Sequence, residues 1–174
     1  MLKKLIITLS GFIVACVLFV VFLYASGNIG ITSKNIESDI RLSQKITDEW
    51  ITDGTYSDTI AAYISYPLDK SDHTFSVYVN RPGFSFGYFF RAGGGLSLIE
   101  ESIAEFTVDG FEERAFISLN KHHVCSVEVD DGIKIQKIET DSNKPFAVVL
   151  PVNAGNVTFY DINGNTVEYF NQSI

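Results

Sequence analysis

Residues 59–90 read TIAAYISYPLDKSDHTFSVYVNRPGFSFGYFF, and their period decides the architecture of the chain around them. Ile60, Ala62, Ile64 and Tyr66 alternate with Ala61, Tyr63 and Ser65. After a turn over 67–72, Phe75, Val77 and Val79 alternate with Ser76, Tyr78 and Asn80. A period of two places successive side chains on opposite faces, so these are two strands of a hairpin. Arg81-Pro82-Gly83-Phe84 fits a type II turn, because Pro presets the first central angle and Gly tolerates the second. A third strand is then expected through Phe84, Phe86, Tyr88 and Phe90, with Gly93-Gly94-Gly95 breaking the meander. The expected core face is Ile60, Ile64, Phe75, Val77, Val79, Phe84, Phe86, Tyr88 and Phe90.

The same grammar recurs downstream. Asp109-Gly110 joins 102–108 to 113–119, Asp131-Gly132 joins 124–129 to 133–138, and Asn163-Gly164 joins 157–162 to 166–170. Asn-Gly and Asp-Gly supply the positive φ that tight hairpins require. Residues 146–152, preceded by Pro145 and bounded near their end by Pro151, make a further strand. About ten strands at spacings of roughly 8–12 residues predict a mainly β fold, an antiparallel sandwich or two packed meanders.

Upstream the period lengthens. Ile36, Ile40, Ile46 and Trp50 fall on one helical face, with Ser33 available as a cap and Asp53-Gly54 as a stop, so an amphipathic helix is expected over 33–50. Residues 25–32 read as a connector. Residues 5–24 are an apolar run introduced by Lys3 and Lys4 and interrupted by Thr8, Ser10 and Gly11. Twenty helical residues span about 30 Å, so this run reads as a transmembrane anchor beside a juxtamembrane helix. The lysines place residues 1–4 in the cytoplasm and residues 33–174 outside it as one exported β-rich domain. Three processing sites compete with a retained single-pass anchor. A signal peptidase cut after Gly27 conflicts with the long apolar stretch, a lipoprotein site at Cys16 with the apolar residues 17–24, and a pilin-like cut at Gly11 with the apolar residues before it.

Charge narrows the partners. All 21 acidic residues and 11 of the 13 basic ones lie beyond Tyr24, leaving that part with a formal charge of −10. Such a field repels nucleic acid. Cys16 lies in the apolar run, so Cys125 has no disulfide partner in the exported part; alternation with Val127 and Val129 reads it as a small buried residue.

Motifs with chemical meaning fail on context. Gly83-Phe84-Ser85-Phe86-Gly87 has the Gly-x-Ser-x-Gly spacing of a hydrolase nucleophile elbow, with His122 or His123 and Glu100, Glu101 or Asp109 as nominal partners. An elbow needs a strand turning sharply into a helix, whereas here an aromatic strand runs through the Ser. His123 and Cys125 share a strand face, but two ligands make no zinc or copper site. Asp161-x-Asn163-Gly164-Asn165 has its Gly too early for a calcium-binding hand and is explained by a hairpin. Asn156-Val157-Thr158 and Asn171-Gln172-Ser173 are glycan acceptors where the host glycosylates them. No catalytic residue, metal or cofactor is expected.

The second face of the first meander is the candidate site. It sets Tyr63, Tyr78 and Phe89 among Ala61, Ser65, Ser76, Ser85 and Gly87, with Arg91 at the rim. Rings above small neighbours form platforms for sugars or peptides, or else a dock for the helix over 33–50. The sequence therefore reads as a membrane-anchored, extracytoplasmic binding or structural module of a cell envelope, with an envelope protein or glycan as partner. A small envelope hydrolase acting through Ser85 and a pilin-like assembly subunit are the alternatives.

Overall fold

A computed structural model describes residues 2–174 apart from 82, 84, 152 and 153, with side chains in the first helix described from Leu9 onward. The alternating runs become β2 (Ile60–Tyr66) and β3 (Thr74–Asn80), paired antiparallel with Ile60 opposite Val79 and Ile64 opposite Phe75. β1 (Ile51–Tyr56) and β4 (Tyr88–Gly94) flank them, giving a first sheet of order β1-β2-β3-β4. β5 (Ile103–Thr107), β6 (Arg114–Ser118), β9 (Phe146–Leu150) and β12 (Tyr169–Ser173) form a second, in the order β12-β5-β6-β9. β7 (Val124–Asp130), β8 (Ile135–Glu139), β10 (Asn156–Asp161) and β11 (Thr166–Val167) form a third, in the order β11-β10-β7-β8. Strands hold 43% of residues and helices 21%, and the sheets close into no barrel.

Two apolar clusters stack these sheets. Ile60, Ile64, Phe75 and Val77 of the first sheet meet Phe106, Ala115 and Ile117 of the second in one core. The opposite face of the second sheet, through Ile103, Phe116 and Leu150, meets Val127, Val129, Val157 and Phe159 of the third. The second sheet is thus buried on both faces, and β5 and β6 each bury four of their five residues. At the sheet edge, Thr55 Oγ1 accepts the Val149 N–H at 2.8 Å and donates to Ala147 C=O at 3.3 Å, linking β1 to β9. Among the described strands one pairing departs from the antiparallel expectation: β12 runs parallel to β5.

The N-terminal reading requires correction. Residues 2–25 are helical, as α1 (Leu2–Ala25), and stop at Gly27, whose φ of +67° lets the Asn28 N–H reach back to Leu23 C=O at 2.9 Å. Among the described residues, however, no helix is long and apolar enough to cross a membrane. The expected transmembrane anchor and its single-pass topology are not supported.

The helix over 33–50 is shorter than its periodicity suggested. A 3-10 turn (Ser33–Asn35) leads into α2 (Ile36–Ser43), and Lys45 at φ +56° ends it. Arg41 then holds the next stretch of chain in a loop, donating to Thr47 C=O at 3.0 Å and Trp50 C=O at 3.2 Å while pairing with Glu37 at 2.7 Å. The third strand is also displaced. β4 starts at Tyr88, so the Gly-rich stretch that was expected to break the meander lies partly within it. The turn read over Arg81-Pro82-Gly83-Phe84 involves residues 82 and 84, and the end of the strand over 146–152 involves residue 152, all outside the described residues.

Candidate functional site

The four residues singled out from the sequence do not share an open face. A β-bulge opposite Val77 and Tyr78 sets Tyr78 against Phe90 and Val77 against Ala92, leaving Arg91 as the extra residue of β4. The bulge reverses the expected facing: Tyr88 packs with Ile36, Ile40, Ala61 and Tyr78 beneath α2, and Phe86 and Phe90 are exposed rather than core. Tyr78 has no exposure, and its hydroxyl donates to Asp39. Tyr63 is half-buried against the same cluster. Phe89, opposite Val79, lies on the other face, with the Arg81 guanidinium 4.3 Å above its ring. Arg91 is exposed at the bulge.

The chemical motifs are also spent locally. Ser85 Oγ donates to Arg81 C=O at 2.7 Å and lines one cleft, whereas His122, 2.8 Å from Glu101 C=O, lines another. His123 Nδ1 faces Ser142 C=O at 3.0 Å, and Cys125 donates weakly to Asp161 C=O at 3.3 Å. Asp161 closes its own hairpin: Oδ1 accepts the Asn163 and Asn165 N–H groups at 2.8 Å, and Oδ2 accepts Asn165 Nδ2 at 3.0 Å. Among the described residues no group of three or more His, Cys, Asp or Glu is arranged to hold a metal ion.

Three turns instead converge at one end of the first two sheets. The β1–β2 turn contributes Asp58 and Thr59, the β3–β4 connection Asn80, Arg81 and Ser85, and the β5–β6 turn Phe111, Glu112 and Glu113, around a cleft of about 540 Å³. Local chemistry shapes each side. Ser57 Oγ accepts the Ile60 N–H at 3.0 Å, Asn80 Nδ2 donates to Asp58 C=O at 2.9 Å, and Gly110 at φ +84° turns the chain so that the Phe111 N–H meets Val108 C=O at 3.0 Å. Beneath them Tyr88 donates its hydroxyl to Ser57 C=O, with Tyr56 packed edge-on at 6.3 Å. Burial raises the Tyr88 hydroxyl pKa, and the negative charges of Asp58 and Glu113 add to the effect.

The electrostatics are unbalanced. The carboxylates of Asp58, Glu112 and Glu113 have no hydrogen bond or ion pair among the described residues, and Arg81 is held by the Phe89 ring rather than by any of them. Thr59 Oγ1, on the same cleft, is buried without a partner among the described residues. Sequence reasoning passed over this set because β1 went unseen, so Asp58-Thr59 did not register as a turn. The signal was the charge on alternate turns, which in a meander gather at one end. In comparisons with known proteins the chain matches no family model, no curated protein and no solved structure.

Proposed function

We propose that the β-rich part of the chain is a binding module that takes a basic segment of a partner protein into the cleft between these turns. The observation that carries this reading is the convergence of three carboxylates without internal partners among the described residues, from two turns of two different sheets, on one concave surface. A lysine or arginine side chain would supply the donors that Asp58, Glu112 and Glu113 lack, and Phe111 offers an apolar wall for its methylene stem. Arg81, anchored on Phe89, is free to donate to the partner's backbone carbonyls. The formal charge of −10 beyond Tyr24 draws cationic partners toward this surface and speeds their encounter. Turns are the natural carriers of such a role, since the packed sheets beneath fix their spacing.

The test is a titration of an arginine- and glycine-containing peptide against the whole chain at physiological salt. Replacing Glu112 and Glu113 together by Gln should weaken binding about tenfold, as expected for losing two charged contacts. Replacing Glu139 by Gln, on the edge strand β8 and away from the cleft, should leave it unchanged. Equal affinity in all three proteins would rule the cleft out.

A further inference from the structure

A second ionisable site lies outside this cleft, where β3 meets the short helix α3 (Ser97–Glu101). His73, directly before β3, is 5% exposed, and its ring stands against the backbone of Leu96, the residue preceding α3. Nε2 is 3.1 Å from the Leu96 amide nitrogen and 3.1 Å from the Leu96 carbonyl oxygen. It can serve only one of them at a time: in the neutral ring with its proton on Nδ1, the bare Nε2 accepts the N–H; in the imidazolium, Nε2 donates to the C=O. Among the described residues Nδ1 is buried without a hydrogen-bond partner, and it lies 3.5 Å from Glu100 Oε1, within reach of an ion pair but too far for a hydrogen bond. Glu100 Oε2 in turn lies 3.8 Å from Lys121 Nζ.

The charged surroundings come from three elements. Glu100 approaches from α3 and Lys121 from the turn after β6, while Asp72, beside His73 in the chain, accepts the His73 backbone N–H at 2.8 Å. His122, next to Lys121, ties that turn to the far end of α3 through Glu101 C=O. We infer that His73 is a pH-sensitive latch on α3: protonation exchanges its contact with the Leu96 N–H for a bond donated to the Leu96 carbonyl, and draws Glu100 from Lys121 onto Nδ1.

In acid α3 is held by two charge-assisted contacts instead of one neutral one. The helix carries Leu98 and Glu101 into the cleft of about 460 Å³ that His122 also lines, so acid firms one wall of that cleft.

Amide hydrogen exchange, corrected for its intrinsic pH dependence, tests the latch at about pH 5.5 and about pH 7.5. The Ile99 and Ser102 amides, which bond to Leu96 and Leu98 carbonyls, report on α3. They should exchange about fivefold more slowly at the lower pH, the scale of one partly exposed ion pair. Glu100→Gln changes a side chain that is 42% exposed, so the fold is retained, and it should shrink the difference by removing one of the two contacts. A wild-type protein with the same α3 protection at both pH values, or a Glu100→Gln protein that keeps the whole difference, overturns the latch.

Discussion

The Tyr78 hydroxyl donates to Asp39 Oδ2 at 2.7 Å, so the outer face of the first sheet is fastened to α2 instead of standing open to a ligand. Ile36 and Ile40, both without exposure, complete the contact. Replacing Tyr78 by Ala removes a fully buried ring and should cost about 3–5 kcal/mol, while Tyr78→Phe should cost about 1 kcal/mol for the lost hydrogen bond. Chemical denaturation measures both. A small loss for the Ala variant would mean that the helix does not cover this face.

The same contact sets an alkaline limit. Burial raises the Tyr78 hydroxyl pKa above its ordinary 10.0, and the hydrogen bond to Asp39 raises it further. An unfolded tyrosine loses its proton from about pH 10, so above that pH the native state holds more protons than the unfolded one. The stabilisation is therefore complete below about pH 10 and is lost as the pH rises toward the folded value. Tyr78→Phe should flatten that decline in urea midpoints measured from about pH 9 upward; an unchanged slope would show that Tyr78 does not contribute to it.

At the acid end the turn carboxylates act in the opposite sense. The Asn165 side chain holds the Asp161 carboxyl below its ordinary value of 3.8, and the Lys134 and Asn143 backbone N–H groups do the same for Asp131 and Asp141. Groups with a depressed folded pKa stabilise above the unfolded value and lose that contribution as the pH falls through the folded one. Stability should therefore hold down to about pH 4 and decline below it, less steeply in Asp161→Asn than in the wild type. Identical acid profiles would contradict this assignment.

Asn120 is a structural staple. It is 3% exposed at φ +57°; its Oδ1 accepts the Val124 N–H at 2.7 Å, and its Nδ2 reaches the Val124, Asp141 and Lys144 carbonyls at 3.0–3.1 Å. Asn120→Ala should cost about 3 kcal/mol or more, through unsatisfied buried groups and left-handed strain. Asn120→Gly loses the same bonds without the strain and should cost about 1 kcal/mol less. Thermal unfolding of the pair separates the two contributions; equal losses would remove the strain.

Side-chain period made most of the strands legible. The expected turns at Asp109-Gly110, Asp131-Gly132 and Asn163-Gly164 are present, with φ near +83° at each Gly: +84° at Gly110, +83° at Gly132 and +82° at Gly164. β1 was hidden because Asp53-Gly54 looks like a stop. Gly54 is instead a strand residue opposite Tyr63, where an added Cβ would lie 2.2 Å from Ala62 C=O and 2.7 Å from the Tyr63 ring. The helix overran its true end because Ile46 keeps the apolar spacing and still packs in the cluster after the chain has left α2. The bulge at Arg91 left no mark in the alternation, so every aromatic of β4 beyond it was assigned to the wrong face. A site made of turns from different sheets depends on how those sheets stack, which local periodicity does not encode.

The most direct test of binding at the turn-end cleft is a ¹⁵N chemical-shift titration of the chain with the arginine- and glycine-containing peptide. Shifts should concentrate on the amides of Asp58, Thr59, Asn80, Arg81, Ser85, Glu112 and Glu113, saturate together, and disappear when Glu112 and Glu113 are both replaced by Gln. Shifts confined to the His122 cleft, scattered over the acidic surface, or persisting in the double variant would contradict the proposed site.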